Sequence, residues 1–172
     1  MFDAALSSGL VAFNRLPADQ ARTELLSCCA SPAWAEQMLA ARPYHSIDEV
    51  MALTDRAVAG VSEAELDAAL AGHPRIGERA AASDRRDWSS QEQAGVGSAA
   101  DGVRRALADG NRDYERRFGH VYLVCATGQT ADELLALLLR RLGNDAADER
   151  AVVRDELAKI NRIRLTKLLE GA

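Results

Sequence analysis

One feature constrains the fold more than any other: apolar residues recur at three- and four-residue spacing through nearly the whole chain. That spacing is broken by start and stop signals at short intervals. "AALSSGLVAFNRL" closes at Pro17, and "PADQARTELLSCCAS" opens on proline and acid, as a helix first turn prefers. In "SPAWAEQMLAARP", Ser31 is a candidate N-cap, Pro32 takes the first helical position and Pro43 is the stop. "SIDEVMALTDRAVAG" pairs Ser46 with Glu49 in capping-box spacing and ends at Gly60, and "SEAELDAALAG" repeats that grammar up to Gly72.

Helical patterning returns after position 99 in "ADGVRRALADGNRDYERRFG", where Val103, Leu107, Tyr114 and Phe118 share one stripe. "TADELLALLLRRLG" and "DAADERAVVRDELAKINRIRLTKLLEG" follow. Between them "HVYLVCATG" is β-branched and aromatic, which predicts a short strand or extended connector with no obvious pairing partner. Residues 73–99 are rich in Gly, Ser, Arg and Asp and predict a loop-rich crossing with one short helix near 89–95. There is no internal repeat and no domain-scale linker. The expectation is one all-α domain over residues 1–172, a compact bundle of seven to nine helices.

Composition narrows the function classes. A net charge of −5 over 172 residues argues against a nucleic-acid or anionic-membrane partner. Arg75, Arg79, Arg85, Arg86, Arg104 and Arg105 are interleaved with Glu78, Asp84, Asp87 and Asp101, the pattern of a solvated face. "LLALLL" is far shorter than the roughly 20 residues of a membrane span. Cys28, Cys29 and Cys125 suit neither a disulfide framework nor a zinc site, and fit a reducing cytoplasm. His45 and His120 have no ligand-spaced partner, so no metal is expected.

Three places carry candidate chemistry, each beside a structural alternative. His73 precedes Pro74 at a helix end, where an imidazole either exchanges a proton with a ligand or bonds the last helical carbonyls. Ser89-x-x-Glu92 and Ser90-x-x-Gln93 both fit capping boxes. Equally, Glu92 suits a general acid or base, and the Gln93 amide suits a substrate carbonyl. Arg164 falls on the apolar stripe of Val153, Leu157, Ile160 and Leu168, where a guanidinium must reach solvent, pair with an acid or bind an anion. Cys125 reads as packed rather than reactive.

Taken in order, "ARPYHSIDEVM" (41–51), "HPRIGE" (73–78), "SSQEQAG" (89–95), "NRDYERRFGHVYLVCATG" (111–128) and "RIRL" (162–165) resemble the 2-oxo-4-hydroxy-4-carboxy-5-ureidoimidazoline (OHCU) decarboxylases of urate breakdown. The resemblance runs across nearly the whole chain. It implies an all-helical fold that dimerises and uses no metal or organic cofactor. It implies loss of carbon dioxide from OHCU to give (S)-allantoin, downstream of urate oxidase and hydroxyisourate hydrolase. It places the catalytic pair on His73 and Glu92, and substrate binding on Ser89, Gln93 and Arg164 and on main-chain groups at Pro74 and Val124. The ending "LLEGA" lacks a peroxisomal address, which agrees with a cytoplasmic enzyme, and no transthyretin-like hydrolase segment is present. The rivals are a helical adaptor that binds a partner protein, and an enzyme on this scaffold for another ureido or imidazoline acid.

Overall fold

A computed structural model of the chain describes residues 7–77, 88–97 and 99–170, the side chains of Ser89 and Ser90 excepted. The described residues form nine α-helices and one 3-10 turn, with no strand. In chain order these are α1 (Ser8–Arg15), α2 (Ala18–Cys28), α3 (Pro32–Ala40), α4 (Ile47–Gly60), α5 (Glu63–Ala71), α6 (Trp88–Glu92), a 3-10 turn (Ala94–Val96), α7 (Asp101–Phe118), α8 (Ala131–Arg141) and α9 (Ala146–Glu170). The all-α expectation holds. The chain divides into two compact units, one running through Leu66 and resuming at Ala158, the other Asp67–Leu157.

Most of the helix starts are those the caps dictate. Ser31 accepts from Trp34 N with Pro32 at the first helical position, and Ser46 accepts from Glu49 N. The reciprocal half of the Ser46 box goes one residue further back, where Glu49 accepts from His45 N at 2.7 Å. A complete box occurs instead at Thr130 and Glu133, starting α8. Gly60 does not stop α4 through a left-handed turn, for it is the last helical residue and Val61 leaves in an extended conformation. Gly119 does stop α7 in that way, at φ 78°.

In the first unit α2 packs on α3 and α3 on α4. Leu10, Phe13, Leu25, Trp34, Met38 and Tyr44 are buried there. The Trp34 indole donates to Thr54 Oγ1 at 3.0 Å, so its one polar atom is satisfied inside the core. The "ARPY" stretch earns its place by capping: Arg42 donates to the carbonyls of Phe13, Asn14 and Leu16 at 2.6–2.9 Å at the end of α1, where Phe13 O also accepts from Leu16 N.

The second unit is built on α7 against α8. Gly110 makes this close, since a Cβ there would fall 2.6 Å from Leu138 Cδ2. Leu107, Tyr114, Tyr122, Val124, Leu134 and Leu138 form its core with Ile76 and Val96. Within it lies a buried ion pair. Arg141 donates to Glu149 Oε1 from Nε at 2.8 Å and from Nη2 at 2.5 Å, and Tyr114 Oη and Asn144 Nδ2 also donate to that carboxylate. Burial is the largest single influence and opposes the Arg141 charge, but the Glu149 bond together with the attraction of Tyr114, Glu149 and Tyr122 outweighs it and raises the guanidinium pKa.

Candidate active site

Residues 73–77 follow α5 and are held at four points. His73 Nδ1 lies 2.8 Å from the Ala69 carbonyl, one turn back. A carbonyl only accepts, so Nδ1 carries the proton, and the neutral tautomer so selected has its lone pair at Nε2. The helix-end role and the proton-exchange role of His73 are therefore compatible: the first selects the tautomer that the second needs. Arg75 donates to Glu115 from two nitrogens at 2.5 and 2.8 Å, and that fork holds the Glu115 carboxyl below its ordinary pKa. Asn111 Nδ2 donates to the Ile76 carbonyl at 3.0 Å. Gly77, at φ 87°, turns its N–H to Gln93 Oε1 at 2.8 Å. A side chain is strained at that φ, which is the reason for glycine here.

The capping-box reading of the next motif fails. α6 starts at Trp88, so Ser89 lies inside the helix, Glu92 is its last residue and Gln93 lies beyond it. Ser89 is a helical residue, but its side chain lies outside the described residues. Gln93 instead uses its carbonyl oxygen on Gly77, which leaves its –NH2 as the donor half of the amide. Glu92 is buried at 9% exposure. The motif ends in Gly95 because a Cβ there would fall 2.2 Å from the Gln129 carbonyl oxygen. The backbone after α6 and the turn before α8 can touch only without a side chain.

The predicted strand is absent: residues 121–126 have no regular secondary structure. Side chains take the place of a ladder. Arg141 Nη1 donates to the Leu123 carbonyl at 2.7 Å, Cys125 N donates to Glu156 Oε2 at 2.7 Å, and Gln129 Nε2 donates to the Cys125 carbonyl at 2.7 Å. Val124 sits between these anchored neighbours, 5% exposed, and none of the described residues hydrogen-bonds its main chain.

Arg164 lies in the first unit. It does not reach solvent: it is 6% exposed, and Nη1 donates to the Cys28 carbonyl at the end of α2, at 3.0 Å. Arg162, two residues earlier, is half-exposed and pairs with Asp55 at 2.6 Å. The Cys29 thiol, buried near Asn161 and Arg164, has its pKa pushed up by burial.

The structure thus joins the 73–77 loop to Gln93 directly, and packs Ile76 of that loop in one core with Val124. A cavity of about 260 Å³ opens beside the same loop, lined in part by Arg75, Ile76, Gly77, Val96 and Asn111. His73, Glu92 and Gln93 do not line it. Among the described residues no group of three or more His, Cys, Asp or Glu side chains is placed to hold a metal ion, and no helix is long and apolar enough to cross a membrane. From the sequence Asn111 and Glu115 read as structural groups of their helix, with room for Glu115 to make a surface pair, as it does with Arg75, while Arg141 and Glu156 do not stand out. The four-residue spacing of Asn111 and Glu115, which puts both on one face of α7, was the available signal.

Known proteins resemble this chain in sequence and in fold. Residues 14–166 match the OHCU decarboxylase family. A 2-oxo-4-hydroxy-4-carboxy-5-ureidoimidazoline decarboxylase of Haloferax volcanii is 28% identical over 137 residues, 80% of this chain and 81% of that protein. The uric acid degradation bifunctional protein TTL of Arabidopsis thaliana is 28% identical over 82% of this chain, which spans only 45% of that longer protein. An OHCU decarboxylase crystallised in the presence of (S)-allantoin superposes with a TM-score of 0.75 at 26% identity, covering 85% of this chain and 96% of its own.

Proposed function

The chain belongs to the OHCU decarboxylase family, and we propose that it converts OHCU to (S)-allantoin and carbon dioxide, the last step from urate to allantoin. The match over residues 14–166 carries this reading, because it contains every residue given a role below.

The substrate's carboxylate sits on a ring carbon that also bears a hydroxyl and adjoins a C=N bond. When the C–C bond breaks, carbon dioxide leaves and the bonding pair moves into that C=N system. The hydroxyl gives up its proton and becomes the carbonyl of allantoin, the neighbouring ring carbon gains a proton on one face, and the nitrogen of the former C=N takes a second, so that one proton is taken up overall. His73 is assigned the hydroxyl proton, which its Nε2 accepts while Nδ1–H stays on the Ala69 carbonyl. Glu92, buried and next to Gln93, holds or shuttles the proton whose delivery to one face sets the stereochemistry. The Gln93 –NH2 donates to a substrate carbonyl, its oxygen being committed to Gly77.

Ser89, Arg164 and the main chain at Pro74 and Val124 complete the proposed binding set. The support for Val124 is its anchored flanks and a main chain that none of the described residues bonds; that for Arg164 is a guanidinium held inside the protein, where a charge suits an anionic ligand. We further propose a homodimer in the cytoplasm, fed by hydroxyisourate hydrolase after urate oxidase. Its three cysteines are free, as a reducing compartment requires.

Replacing His73 by Asn tests the assignment. The variant is expected to stay folded and to lose far more than tenfold in turnover. A rate within about tenfold of wild type, roughly 1.4 kcal/mol of barrier, overturns it. Turnover of OHCU beside that of related ureido acids decides the substrate, since a shared scaffold does not fix it.

A further inference from the structure

The hold on residues 75–77 draws on α7, a helix that carries none of the residues assigned to the reaction. Asn111 and Glu115 lie one turn apart on it. Glu115 grips the Arg75 guanidinium at 2.5 and 2.8 Å, and Asn111 grips the Ile76 carbonyl at 3.0 Å. Gln93 takes the next residue, at Gly77 N. Three successive loop residues are thus fixed by three separate side chains, directly after His73-Pro74.

Asn111 is 2% exposed, yet only half of its amide is used. Its Oδ1 is sealed from solvent and has no hydrogen-bond partner among the described residues. A buried acceptor without a partner costs stability; a leucine of nearly the same size would remove that cost but leave the Ile76 carbonyl unpaired in turn, so the two roughly offset. The amide is there for its donor, which is aimed at the Ile76 carbonyl.

We propose that Asn111 is a positioning residue for the decarboxylation. Through the Ile76 carbonyl it holds the 73–77 loop in register, and with it the His73 ring and the Gly77–Gln93 contact that orients the substrate-facing amide. The proposal rests on the catalytic reading of His73. Its size follows from the steep dependence of rate on placement, in which a shift of about 1 Å costs up to about 100-fold.

The test is Asn111→Leu in the full chain, with thermal unfolding and steady-state kinetics on OHCU measured together. The expected result is a kcat about 10- to 100-fold lower, KM within about threefold, and an unfolding midpoint close to wild type, since one unpaired acceptor replaces another. A merely structural asparagine gives the reverse: a lower midpoint with kcat unchanged in the folded enzyme. Should Asn111→Leu not fold, Glu115→Gln decides, since Glu115 is only partly buried and the change keeps its shape. It should lower kcat about three- to tenfold at an unchanged midpoint, because the loop loses a charged anchor. An active wild type with either folded variant at full kcat overturns the positioning role alone. A wild type that does not turn OHCU over overturns the catalytic reading itself, and the proposal with it.

Discussion

His73 shows how little a residue's type settles until its hydrogen bonds are known. An imidazole at a helix end has two tautomers, and the Ala69 carbonyl selects the one with its lone pair at Nε2. Gln93 is the parallel case, its amide orientation fixed by the Gly77 N–H. Glu149 shows the same logic turned to stability. It is fully buried and receives bonds from Arg141, Tyr114 and Asn144, and burial with that bond raises the Tyr114 pKa so that the phenol stays a donor. Removing one partner of such a pair strands the other's charge in the core. Glu149→Gln should therefore destabilise the protein by about 3–5 kcal/mol in denaturant unfolding. Replacing both Glu149 and Arg141 by apolar residues should cost less than the single change. Near-equal stability of Glu149→Gln and wild type would mean that the pair does not hold its charge.

At the scale of elements, side chains take over work that secondary structure does elsewhere. The 121–126 segment has the composition of a strand but no partner strand among the described residues, so Arg141, Glu156 and Gln129 satisfy the backbone of its Leu123 and Cys125. The short α6 ends where Gln93 must reach the loop, and Gly95 lets the following backbone close on Gln129. Gly95→Ala would put a methyl 2.2 Å from a carbonyl oxygen, a clash that backbone cannot relieve by a rotamer change. The expected cost is about 1–3 kcal/mol of stability, together with a fall in kcat as Glu92 and Gln93 shift. Thermal unfolding and kinetics of that variant check both; an unchanged midpoint would mean that the two backbones do not touch as described.

For the whole molecule, the all-α class and most helix limits were legible because caps and 3.6-residue periodicity act locally. Ser31-Pro32, Ser46 and Gly119 each announce a boundary through atoms within a turn of themselves. What was not legible depends on partners far away in sequence. Nothing local shows that Gln93 turns to Gly77 instead of capping α6, or that Arg164 bonds the Cys28 carbonyl instead of reaching solvent. Nor does it show that Asn111 serves the loop at 76. The ordered motifs supplied the family where the local readings of His73, Glu92 and Arg164 stayed divided, and the match over residues 14–166 agrees.

The central claim is the reaction, and an optical assay tests it most directly. Urate would be converted in place by urate oxidase and hydroxyisourate hydrolase, this protein added, and the circular dichroism of allantoin followed. Rapid growth of an (S)-allantoin signal is expected, and a folded His73→Asn variant should not give it. Racemic allantoin, appearing only at the spontaneous rate, would contradict it.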